Sequence, residues 1–211
     1  MTDVDIRNLI SKHGLVSDQI EPGELAVILR ELVARLAEPG SGAVVEFGCY
    51  RGTTSLYIRR ILNASSVDRP FHVYDSFEGL PEKSAQDNSP AGLQFASGEL
   101  RVSKKDFLME FKKANLRPPF IHKGWFADLT PSDVPSLIDF AFLDGDYYDS
   151  VKASLHLIED KLAPGATIIV DDYANEALPG AARAVDEWAG RRGITPKSIR
   201  SLAVMKIAQL A

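Results

Sequence analysis

The chain has 211 residues, 45% of them hydrophobic and 25% charged, with a net charge of −5. That length fits one globular domain, alone or with a small appendage, and the acidic balance argues against a nucleic-acid backbone as the main partner. A single cysteine, Cys49, excludes an internal disulfide framework and a cysteine-based zinc cluster, and no apolar run approaches the roughly 20 residues that span a bilayer.

The first residues, Met1-Thr2-Asp3-Val4-Asp5, are acidic and lack the basic opening of a secretory signal, so a cytoplasmic location with no membrane partner is expected. Residues 6–36 read as helical, because Leu25, Ile28, Leu29, Leu32, Val33 and Leu36 repeat at spacings of three and four. Pro39-Gly40-Ser41-Gly42 ends this region, which predicts a helical cap or lid over residues 1–40 and the main domain over 41–211. Ala43-Val44-Val45-Glu46-Phe47 reads as the first strand, 53–62 as the helix after it, and 71–74 as a second strand ending at Asp75. Residues 78–102 have weak periodicity and hold Gly79, Pro81, Pro90, Gly92 and Gly98. A segment this long without regular structure points to a lid or binding loop.

A helix over 103–114 then presents Phe107, Leu108 and Phe111 on one face. Pro118-Pro119 precedes a short strand at 120–122, and 138–143 reads as the fourth strand. A helix over 150–162 is closed by Ala163-Pro164-Gly165, and a fifth strand follows at 166–170. Another helix spans 181–191, and 195–208 holds one or two strands, clearest at 202–207. Strands alternating with helices specify an α/β fold with a mainly parallel sheet and helices on both faces. The last strand follows a connection too short for a crossover helix and should be antiparallel.

Two acidic clusters directly follow apolar runs: Leu143-Asp144-Gly145-Asp146-Tyr147-Tyr148 and Val170-Asp171-Asp172-Tyr173. In open α/β sheets the chemistry sits past the carboxyl ends of the strands, so four carboxylates would meet at one sheet edge. Their mutual repulsion suggests a bound divalent cation, and hard aspartate oxygens suit Mg2+ or Mn2+ better than Zn2+. The first strand runs into Gly48-Cys49-Tyr50-Arg51-Gly52, where missing side chains would let backbone approach a ligand. It is neither the dinucleotide glycine pattern nor a P-loop, and a plain strand-to-helix turn accounts for it equally well. Asp75, about 20 residues on, stands where an acid accepts from ribose hydroxyls. An Asp capping the next turn is the plainer alternative.

Together these residues resemble the class I S-adenosylmethionine (SAM)-dependent methyltransferases, and more narrowly the macrocin O-methyltransferase family. The likeness rests on Val45 to Gly52, on Tyr74-Asp75-Ser76-Phe77-Glu78-Gly79-Leu80-Pro81, on Lys123-Gly124-Trp125-Phe126, and on the two acidic clusters. It implies a Rossmann-like seven-stranded sheet, mainly parallel, with an antiparallel C-terminal strand. It implies SAM as cofactor, with Glu46, Gly48, Gly52, Thr53, Thr54 and Ser55 at its methionine end. Asp75 and Ser76 would lie at the ribose, and Gly124 and Trp125 near the adenine, with Asp144 also beside the cofactor. Asp144, Asp171 and Asp172 would bind Mg2+, and Asp146 would be the general base, with Asp144 sharing the catalytic site. The acceptor would be a hydroxyl of a small molecule, such as a sugar or a glycosylated natural product, and a homodimer is implied.

Plainer roles stand beside these. Asp146 could cap the helix that follows, and Asp171 and Asp172 could be solvent-facing loop acids. Asp139 reads as an edge or strand-start acid. The four histidines read as structural or surface groups, and Cys49 as a small neutral filler. Two other functions share the features: a nicotinamide-dependent oxidoreductase, against which the missing dinucleotide glycines count, and a metal-dependent hydrolase using the acids alone.

Overall fold

The computed structural model describes residues 1–65, 67–92 and 95–209. Among them, the chain forms α1 (Asp3–His13), α2 (Pro22–Ala37), β1 (Ala43–Phe47), α3 (Thr53–Ala64), β2 (Phe71–Asp75), α4 (Lys104–Lys113), β3 (Phe120–Lys123), β4 (Ile138–Leu143), α5 (Tyr148–Ile158), β5 (Leu162–Val170), α6 (Pro179–Arg192), β6 (Lys197–Ile199) and β7 (Leu202–Lys206). Short 3-10 turns lie at Ala85–Asp87, Pro90–Gly92 and Phe126–Asp128.

The region expected as helical over 6–36 is two helices. Thr2 and Asp5 cap α1 reciprocally, and Gly14 closes it with a positive φ of 67°. Pro22 then opens α2, where a missing N–H costs nothing. Helix α5 begins at Tyr148, two residues earlier than expected, and ends at Ile158. Ala163-Pro164-Gly165 therefore belongs to β5 rather than to a helix end. The register between β4 and β5 slips between Ile138 and Phe140, an irregularity that accommodates a proline and a glycine in the strand.

The strands form one sheet in the order β3-β2-β1-β4-β5-β7-β6. The first five are mutually parallel, and β7 lies antiparallel between β5 and β6. Alternate residues feed two cores. Val44, Phe71, Val73, Phe140, Phe142 and Ile169 pack with the buried sides of α1 to α4. Val45, Phe47, Tyr74, Ala141, Leu143 and Ile168 pack with α5 and α6 on the other face. Every residue of β1 and β4 is buried, as strands covered on both faces must be. Among the described residues no helix is long and apolar enough to cross a membrane.

Register is what builds the site. Phe47 pairs with both Tyr74 and Leu143, and Leu143 pairs with Val170. The next residue of each strand or turn, namely Gly48, Asp75, Asp144 and Asp171, therefore reaches the same carboxyl edge. Asp139 lies toward the opposite end of β4, a central and not an edge strand, and is buried against Arg35 and Arg69.

Candidate active site

A cleft of about 230 Å3 opens at this edge. Its walls include Gly48, Cys49 and Tyr50 after β1, Asp75 and Ser76 after β2, and Trp125 and Phe126 after β3. Asp144 and Asp146 follow β4, and Asp171 and Asp172 follow β5. Asp18 and Gln19, between α1 and α2, close one side, and Leu80, Phe95, Leu100 and Leu178 supply apolar wall.

The glycine turn has a packing reason as well as a site. A Cβ on Gly48 would overlap the carbonyl oxygen of Asp144, and Gly48 holds φ 83°; any other residue would push β1 and β4 apart at the cleft. At Gly52, φ 88°, a Cβ would press on the Phe107 ring at 2.8 Å. Asp75 fastens the turn from β2: its Oδ2 accepts from the Cys49 amide at 2.8 Å, and its Oδ1 from the Phe77 amide at 2.6 Å. Both oxygens keep lone pairs for a further donor in the cleft. Gly52, Thr53, Thr54 and Ser55 lie at the start of α3, behind the wall, and Glu46 is buried there with the Ser55 hydroxyl donating to it at 2.5 Å. Burial pushes Glu46 up to about 8, against that hydrogen bond. Gly124 precedes the exposed Trp125, which does face the cleft. The Cys49 thiol is buried and its pKa raised by that burial, then by Asp75, as suits a neutral filler.

At the acidic end, one carboxylate oxygen each of Asp144, Asp146 and Asp172 lie within 4.8 Å of one another. Asp171 lines the same cleft, but its Oδ1 accepts from the Asp172 amide at 2.8 Å and the Ser201 hydroxyl at 3.2 Å. Asp146 does not cap α5; that helix has no side-chain cap from its own N-cap residue, Tyr147. Burial, then the neighbouring aspartates, raises the pKa of Asp144 and Asp146. Asp171 is pushed to about 8 by burial and then by Asp172. Burial raises Asp172 as well, partly offset by the Asn175 side chain, which donates to its Oδ1 at 2.7 Å. Among the described residues that line the cleft, none is Lys, Arg or His. Converging acceptor-only oxygens without a positive partner are a donor set that fits a hard divalent cation.

Several residues of this end carry no reading in the sequence. Ser201, in the β6–β7 turn, donates to Glu24 at 2.5 Å as well as contacting Asp171. These partners are 177 and 30 residues away, so no local pattern announces them. Asp87 is fully buried in the 78–102 segment; its one local signal is the Ser84-x-x-Asp87 spacing of a capping box.

A seven-stranded sheet of this order, with the site at the carboxyl ends of β1, β2, β4 and β5, defines a class I methyltransferase fold. The chain belongs to the macrocin-O-methyltransferase (TylF) family, whose model matches residues 26–205. It is 33% identical over 166 residues to the 8-demethyl-8-(2,3-dimethoxy-alpha-L-rhamnosyl)-tetracenomycin-C 4'-O-methyltransferase of Streptomyces olivaceus, covering 76% of this chain and 62% of that enzyme. It is 31% identical over 164 residues to the demethyldecarbamoylnovobiocin O-methyltransferase of Streptomyces niveus, covering 75% and 62%. The solved structure of the O-methyltransferase NovP superimposes with a TM-score of 0.75 at 28% identity, over 90% of this chain and 81% of that one. The matches thus span less than two thirds of these two curated relatives. None of them favours an oxidoreductase or a hydrolase.

Proposed function

We propose that this chain is a SAM-dependent O-methyltransferase acting on a hydroxyl of a small molecule, a sugar of a glycosylated natural product, with a divalent cation such as Mg2+ at its acidic end. The observation that carries this reading is the meeting, in one cleft, of Asp75 and the glycine turn with the converging carboxylates of Asp144, Asp146 and Asp172. Membership of the family supports the reaction class, and the rhamnosyl group in the name of the Streptomyces olivaceus enzyme supports a glycosylated acceptor.

SAM supplies a sulfonium methyl that is already activated, so no covalent enzyme intermediate is needed. A divalent cation would make an acceptor hydroxyl more acidic and fix its direction. The chain's own residues do the rest. Asp75 would accept from the ribose hydroxyls with Ser76 beside it, and Gly124 and Trp125 would border the adenine. Gly48 to Tyr50 would border the methionine end, with Glu46, Gly52, Thr53, Thr54 and Ser55 shaping that wall from behind. Asp144 and Asp172 of the converging group would hold the cation, and Asp171, which lines the same end of the cleft, would add its carboxylate. Asp146, whose raised pKa comes from burial and its acidic neighbours, would take the hydroxyl proton. The protein's largest contribution is holding oxygen, methyl carbon and sulfur in line. A homodimer is part of the same proposal, and sedimentation tests it separately.

Calorimetry with S-adenosylhomocysteine tests the cofactor assignment: micromolar-range binding is expected, and no heat at all would overturn it. The cation is tested apart. Full turnover of Asp144→Ala or Asp171→Ala in EDTA would remove it from the mechanism.

A further inference from the structure

Helix α5 starts two residues beyond Asp146 and borrows its cap from far away. Its N-cap residue, Tyr147, makes no side-chain cap bond. Instead Oδ1 of Asp87, 61 residues earlier in the chain, accepts from the Tyr148 amide at 2.7 Å. The other oxygen of the same carboxylate accepts from the Ser84 amide at 2.9 Å and the Ser84 hydroxyl at 2.5 Å. Asp87 has no exposed surface. A buried carboxylate is retained only where its hydrogen bonds outweigh its desolvation, and here three donors satisfy it.

The surroundings are fitted to this one group. A Cβ on Gly180, in the first turn of α6, would overlap Asp87 Oδ1 and approach the Tyr148 amide at 2.7 Å. Ser89 donates to the Glu176 carbonyl at 2.6 Å, and Tyr147 donates to the Phe95 carbonyl at 3.1 Å. The described residues of the 78–102 segment are thus fastened to the starts of α5 and α6 and the residues just before them, and Asp87 is their buried pin. On the other side of that pin, Asp146 holds φ 57°, a conformation most non-glycine residues avoid and one that its neighbours must impose.

We propose that Asp87 is a positioning residue: through the Tyr148 amide it couples the seating of residues 84–92 beside the cleft to the conformation of the Asp144–Asp146 turn. The proposal rests on reading that turn as the reacting end of the cleft. Because coupling between two sites is reciprocal, a ligand that orders the turn must also order the segment.

Hydrogen exchange on the full chain, with and without Mn2+, tests it. In Asp87→Asn an amide donor replaces one acceptor oxygen. Exchange at residues 84–92 and 144–151 should then rise together, on the order of tenfold, as a lost helix cap allows. The sheet core at 138–143 should stay unchanged. Gly180→Ala, whose Cβ would press on both the carboxylate and the Tyr148 amide, should reproduce the pattern. Mn2+ should protect both segments in the original protein and only 144–151 in Asp87→Asn. A purely structural cap would also loosen 84–92 and 144–151, but Mn2+ would then protect 144–151 alone in both proteins and never 84–92; that result overturns the proposal. Should Mn2+ protect nothing in the original protein, the cation reading fails, and the same comparison with S-adenosylhomocysteine decides the coupling.

Discussion

Asp146 and Asp172 follow neighbouring parallel strands and share a left-handed backbone, with φ of 57° and 58°. Their carboxylates belong to the same converging group of three. Two local strains and a like-charge contact thus meet at one point, an arrangement that a protein keeps for use and not for stability. Asparagine tolerates left-handed backbone and removes one charge. Asp146→Asn and Asp172→Asn should each raise the melting temperature of the metal-free protein, a gain of about 1 kcal/mol. Asp146→Asn should also slow methyl transfer to an accepted glycoside on the order of 100-fold or more, since the proposed general base is lost. Lowered melting temperatures for both variants would show that the acids support the fold instead.

The pH dependence of stability follows from two buried acids. Glu46 and Asp171 are each pushed to about 8, chiefly by burial. In the unfolded chain such groups ionise near pH 4. Between about pH 4 and 8 the folded protein therefore holds protons that the unfolded chain has released, and stability falls as pH rises. Thermal melts in EDTA should drop steadily across that window. Saturating Mg2+ should flatten the curve in part, because cation binding favours the ionised Asp171 and leaves Glu46 untouched. A metal-free protein equally stable at pH 5 and pH 8 would contradict both shifts.

Asp75 presents one oxygen to each of two backbone amides, Cys49 and Phe77. Asparagine must turn its own N–H groups toward one of them, leaving that amide unpaired and freeing the glycine turn. Asp75→Asn should weaken S-adenosylhomocysteine binding about tenfold or more, the worth of a hydrogen bond to a charged group. Mn2+ affinity should change little, because the converging carboxylates lie on other strands. Calorimetry reads both, and equal losses in the two titrations would mean that the variant has disturbed the whole sheet edge.

Legibility in the sequence followed the range of the interactions. Ala43–Phe47 and Ile138–Leu143 were readable because strands buried on both faces become unbroken apolar runs. The acids that follow them were readable because register carries consecutive residues to one edge. Pro164 and Gly165 suggested a helix end because an irregular strand register leaves no periodic trace. Ser201 and Glu24 were silent for a related reason, since their partners are set by tertiary packing; Asp87 showed only its local spacing to Ser84, and its contact with Tyr148 left no trace. The glycines were legible as a turn, but their packing against Asp144 and Phe107 was not.

Asp139 offers a control at the opposite end of β4. Its Oδ1 meets Arg35 at 2.6 Å, and its Oδ2 accepts from the Gly42 amide at 2.9 Å and meets Arg69 at 3.4 Å. Arg35 also donates to the Pro39 carbonyl at 3.1 Å, so this cluster ties the end of α2 to the sheet. Asp139→Ala would leave two buried guanidinium groups without their counter-charge, and breaking a buried pair from one side costs about 3–5 kcal/mol. Urea unfolding should show a loss of that size, with S-adenosylhomocysteine affinity unchanged at temperatures where the variant stays folded. Arg35→Met alone should cost less than Asp139→Ala, because Arg69 still balances the carboxylate. A change in cofactor affinity without a loss of stability would mean that the two ends of β4 communicate, and the distance between Asp139 and the cleft would then need another account.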